Sequence, residues 1–301
     1  MTTRTLEKIT VVVTVAVLGV ALAVLVGRRP LPQAILVMAG VVTVSAGLDL
    51  VLRGEARHHP TPDLFILPAA LVVGAALYLP LLASGAAVVA GLALFAALLF
   101  GAFWAEYSLR LGRLDRRVGE TALSLIGYVA AFLLYAAIYQ SKARSLFSAP
   151  AIVAATFLLA LRQLRLAQTP LATDAPAGSG SAILPAPRSD GPAPSTPPGL
   201  GTTAMRAVVR RQERVSWARS LPYAAAMALA SGEITWALNY WPLNGLLGGA
   251  FLLACFYCLA SIFTYQVQGR LTRRVVVEYL VVAGASIVML SLAGLLRRAG
   301  G

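Results

Sequence analysis

Charge is scarce in this chain: Asp, Glu, Lys and Arg make up 12% of its 301 residues, against roughly a quarter in ordinary soluble domains. Such scarcity excludes a water-soluble globular surface, and the mean hydropathy of +0.78 makes lipid the solvent for most of the exterior. Histidine and cysteine occur only twice each, which leaves little material for a metal centre. His58 and His59 are adjacent beside Pro60, with Asp63 nearby; neighbouring imidazoles rarely converge on one ion, so no metal is expected. Cys255 and Cys258 have the spacing of a redox pair. They fall inside an apolar helix, with no helix N-terminus to lower a thiol pKa, and read as inert thiols. A phosphate-cradling loop, a nucleophile elbow and a zinc-protease motif are all missing. Neither a cofactor nor a catalytic residue is therefore expected.

Uninterrupted apolar sequence is what the chain has in abundance. The runs are Ile9–Val26, Ala34–Leu52, Leu64–Leu82, Gly85–Trp104, Thr121–Tyr139, Phe147–Leu166, Leu221–Tyr240, Leu243–Tyr265 and Val275–Leu296. A membrane helix needs about 20 such residues, and only helices or closed barrels satisfy their backbone in lipid. The runs do not alternate, which excludes a barrel. The fold class is therefore all-α, a polytopic transmembrane helix bundle of about nine transmembrane helices. The first run is longer than a signal-peptide core of roughly 7 to 15 residues and reads as a retained helix. Arg162 and Arg165 interrupt the sixth run, yet arginine stems near a helix end can reach the headgroups. Pro80, Ala83 and Ser84 suit a tight hairpin between the third and fourth runs.

Lys and Arg set the expected orientation. Of the 25 basic residues, 19 fall on the side of the N-terminus and the even-numbered loops, and 6 on the other. The N-terminus is accordingly expected in the cytoplasm, and the basic excess reads as topology signal, with no nucleic-acid partner. Residues 169–203 change to Pro, Ala, Gly, Ser and Thr with isolated charges, a mixture that buries too little apolar area to order itself. This cytoplasmic linker divides a six-helix part, 1–168, from a basic flank and three helices, 204–301. In the flank, Arg206, Arg210 and Arg214 recur at helical spacing with Arg211 beside them. Contact with anionic inner-leaflet lipid is one reading, and an ordinary positive-inside flank the other.

An ionisable group inside a span costs about 2.5 to 3.5 kcal/mol on insertion scales, so each one needs a reason. Glu233 lies about 18 Å along the seventh run from Leu221, at 1.5 Å per residue, and is expected to face other helices or a water-filled cavity. Trp236, Asn239, Tyr240 and Asn244 surround it in the densest polar and aromatic cluster of the chain. These five residues form a candidate intramembrane polar site; the competing reading is an outer aromatic belt beside a structurally hydrogen-bonded carboxyl. Arg162 and Glu278 match in depth and form a candidate ion pair, with Asp49 as another possible partner. Gly245 and Gly249, four residues apart, are expected to permit close helix packing.

The stretch Lys142, Ser145, Leu146, Phe147, Ser148, Ala149, Pro150 to Leu161 and Arg162, together with Glu233, Trp236, Ala237, Leu238, Trp241 and Pro242, resembles an uncharacterised family of bacterial polytopic membrane proteins. The resemblance implies a prokaryotic plasma-membrane protein and carries no activity. Three functional classes fit these residues. They are a non-enzymatic subunit with a membrane-protein partner, a small transporter or channel using Glu233, and a membrane-embedded enzyme acting on lipid-linked substrates.

Overall fold

The computed structural model describes residues 3–26, 30–53, 62–82, 84–111, 113–140, 145–168, 200–241 and 244–299. Among them are nine α-helices and no strand. In chain order these are α1 (Thr3–Val26), α2 (Pro30–Arg53), α3 (Ile66–Tyr78), α4 (Gly85–Arg110), α5 (Arg116–Gln140), α6 (Ser145–Gln168), α7 (Leu200–Leu238), α8 (Gly245–Val267) and α9 (Arg273–Ala299). Seven of them, α1 to α6 and α8, are long and apolar enough to cross a membrane. The protein is thus a multi-pass helical membrane protein. Each expected span has its helix, although α7 and α9 fall outside those seven.

Local chemistry ends and starts the helices where the sequence requires it. A 3-10 turn, Leu79–Leu81, closes α3 around Pro80. Ser84 then caps α4, its side chain accepting from the Ala87 amide at 3.2 Å; the third and fourth runs are therefore two helices, and Ala83 of the expected hairpin lies outside the described residues. At α8 the cap is Asn244, which accepts from the Leu247 amide at 2.9 Å. Such caps satisfy amides that the helix start leaves open.

One helix, α5, carries the packing of both halves. Its Leu123, Ile126 and Ala130 join a core with α1 to α4, while Ala131, Leu134 and Tyr135 join a second core with α6, α7 and α8. The glycine expectation for α8 holds: a Cβ on Gly249 would lie 2.6 Å from the Ala136 Cα of α5. Only a residue without a side chain lets these backbones approach so closely. The helices on either side of the linker form the most extensive helix pair, α6 with α7. The two parts thus meet in the second of these cores. α9 is attached more loosely, packing on α8 through contacts such as Tyr257 with Tyr279.

The structure differs from the sequence reading at the start of α7. This helix runs without a break from Leu200, so residues assigned to the end of the linker and the whole basic flank belong to the same helix as the seventh span. The rest of the linker, 169–199, lies outside the described residues, as do the side chains of Arg206, Arg210, Arg211 and Arg214.

Candidate functional site

Two polar regions stand out, one at each end of the bundle. The first gathers the N-terminal end of α3 and the C-terminal ends of α4 and α6. Arg162 on α6 places Nη2 2.6 Å from Glu106 Oε1 on α4, and both side chains are almost wholly buried. Its Nη1 donates to the Asp63 carbonyl at 2.9 Å. Arg165, one helical turn further on, meets the Asp63 carboxylate at 2.6 Å. Asp63 sits in a 3-10 turn, Pro62–Phe65, that leads into α3. Two cations and two anions thus neutralise one another across three elements. Each guanidinium supplies the directional donors that such burial demands. Nearby, Gln163 Nε2 donates to Ser124 Oγ on α5 at 2.9 Å.

This network corrects the proposed Arg162–Glu278 pair. Glu278 instead lies 3.5 Å from Arg274 on its own helix, and both side chains are exposed. Depth was a sound criterion but an incomplete one, because residues at equal depth can lie on opposite sides of a bundle. α9 packs on α8, while α4 delivers Glu106 to Arg162 at the same end. Glu106 lies just beyond the fourth apolar run and went unselected. Its signal was an acid at the C-terminal end of a span, at nearly the depth of Arg162. His58 and His59 lie outside the described residues, and among those described no group of three His, Cys, Asp or Glu could hold a metal. Cys255 and Cys258 are free thiols.

The second region is the C-terminal half of α7, where two stripes diverge. Ala224, Met227, Ala228, Ser231, Thr235 and Leu238 are buried. Gly232 lies so close to Val153 of α6 that a Cβ there would collide with it. These small residues draw one face of α7 tightly onto α6, and Glu233, about 200° round the helix from Ser231 at 100° per residue, is turned outward. The carboxylate is exposed, contrary to its expected place against other helices or a cavity. No hydrogen bond or ion pair reaches it from the described residues.

The five candidate residues separate by role. Trp236 and Tyr240 join Glu233 on the outward face, their rings edge-to-face with centroids 5.5 Å apart. Trp236 is 58% exposed and Tyr240 73%. Asn239 is exposed on a different side, and Asn244 is occupied as the α8 cap. Behind them, Tyr139 donates to the Leu238 carbonyl at 2.7 Å and ties the end of α7 to α5. The structure therefore brings Glu233, Trp236 and Tyr240 together and leaves the two asparagines apart.

Charges neutralised at one end of the bundle and seven helices apolar enough to cross a membrane define a multi-pass membrane protein, with the Glu233 carboxylate exposed on the outward face of α7. The chain belongs to the family described as protein of unknown function DUF5656, matched over residues 11–176 and 198–293. The match reaches further towards the N-terminus than the resemblance in the sequence did, and its gap falls within the linker. No curated protein and no solved structure matches the chain.

Proposed function

We propose that this protein is a non-enzymatic subunit or accessory protein of a membrane complex, residing in a prokaryotic plasma membrane with its N-terminus in the cytoplasm. The observation that carries this reading is the outward position of Glu233. A carboxyl on the lipid-facing side of a span costs free energy that burial against a partner helix removes. A carboxyl that couples transport through one protomer would instead need to border that protomer's interior. At the inner end, Arg162, Arg165, Glu106 and Asp63 already satisfy one another, which suits a packing role better than a catalytic one. The sidedness rests on the distribution of Lys and Arg, and it places the basic start of α7 beside the inner leaflet. There Arg206, Arg210, Arg211 and Arg214 would attract anionic lipid.

Native electrophoresis of mildly solubilised membranes tests this reading. The chain is expected to migrate in an assembly larger than its own mass plus detergent. Migration as a lone protomer over a range of gentle detergents would defeat the proposal. Transport through a single protomer predicts something different, namely proton-linked uptake in liposomes that disappears in Glu233→Gln.

A further inference from the structure

The outward face of α7 is the complement of its buried one and forms a continuous exposed stripe. Arg219, Pro222, Ala226, Leu229, Glu233, Trp236 and Tyr240 succeed one another at alternating steps of three and four residues, and all seven are exposed. Steps of three and four residues keep all seven on one side of the helix, a strip along which a second helix can lie. Ala226 and Pro222 keep the middle of the stripe low enough for close approach. The seam also carries two charges of opposite sign, Arg219 towards the inner end and Glu233 towards the outer. They are 14 residues apart, or about 21 Å at 1.5 Å per residue. Neither has a hydrogen bond or ion pair among the described residues.

We infer that this stripe docks one transmembrane helix of a different membrane protein, bearing an acid opposite Arg219 and a Lys or Arg opposite Glu233. Charge complementarity selects this occupant over a second copy of the chain. Two copies in the same membrane run parallel when paired through α7, so Arg219 would face Arg219 and Glu233 would face Glu233. Such like-charge juxtaposition disfavours the pairing. A partner helix with its acid at the inner membrane surface and its base two heptads further out meets both charges at once. The Trp236 and Tyr240 rings then flank the outer contact as apolar anchors with polar tips.

The inference rests on the subunit reading above, and its test is chosen to fail separately. Full-length protein is reconstituted in vesicles of phosphatidylcholine and phosphatidylglycerol and titrated, by resonance energy transfer, with a synthetic Leu/Ala transmembrane helix. The probe carries an Asp at the inner surface and a Lys 14 residues further out; a reference helix lacks both. The charged probe is expected to bind about tenfold more tightly, the equivalent of one to two membrane-embedded polar contacts. The preference should vanish when Arg219→Gln and Glu233→Gln are combined. It should pass to a probe with Asp and Lys exchanged when the protein carries Arg219→Glu and Glu233→Lys. Both positions face outward, so neither substitution disturbs the core. Equal binding of both helices to the wild-type protein would overturn the inference. So would a wild-type dimer lost in Glu233→Gln, which would make a second copy the occupant. If the native assembly kept its mass in the double glutamine variant, this interface would be refuted while the subunit reading stood.

Discussion

Arg162 shows how a single side chain can hold a membrane bundle together and how little of that is visible in one dimension. Its position near the end of an apolar run marks it as needing a partner, and this much was legible in the sequence. Which acid would serve was not, because Glu106, Glu278 and Asp49 all lie near the ends of helices and only lateral packing distinguishes them. The buried pair with Glu106 makes a definite prediction. Arg162→Met leaves a carboxylate stranded and should destabilise the protein by about 3 to 5 kcal/mol, measured as a shift in unfolding in detergent. Adding Glu106→Met should restore most of the loss, since removing both charges is far cheaper than removing one. Glu233→Gln, by contrast, lies on the exposed stripe and should leave the same unfolding curve within about 0.5 kcal/mol, as surface substitutions generally do.

Helices were the most readable level of the molecule, because hydrocarbon permits few alternatives to them. Every apolar run has become an α-helix, and the break between the third and fourth falls between Pro80 and Ser84, where the sequence placed it. The continuity of α7 was hidden. Polar flank and apolar span differ so much in composition that the linker, flank and span read as separate pieces, although one helix of 39 residues begins in the first and runs through the other two. Which face of α7 turns inward was equally hidden, since Gly232 and its small neighbours decide it by fitting Val153 of α6. Close approach also governs α5 and α8. Gly249→Val should cost about 1 to 3 kcal/mol through overpacking against Ala136. Gly19→Val, where a Cβ would meet nothing within 4 Å, should cost far less. Comparative thermal unfolding of the two variants checks the contrast.

For the molecule as a whole, sidedness and assembly are the properties open to direct measurement. In a background with Cys255 and Cys258 replaced, single cysteines at Ser84 and Asn244 should react with an impermeant maleimide from outside intact cells, and one at Ser181 only after the membrane is opened. Reaction at Ser181 from outside would reverse the orientation drawn from Lys and Arg. The sequence anticipated a bundle with a linker near its middle, but it could not show that the two parts share a core. That fact belongs to α6 and α7, whose mutual interface is the most extensive among the described helices although 31 residues, 169–199, stand between them in sequence. Partners so well matched do not need a covalent tether to find each other. A gene divided between these two helices should yield two polypeptides that co-purify without cross-linking, and disrupting Gly232 should separate them. The peptide connection would then be a means of delivering both parts in equal number, with recognition left to the helices themselves.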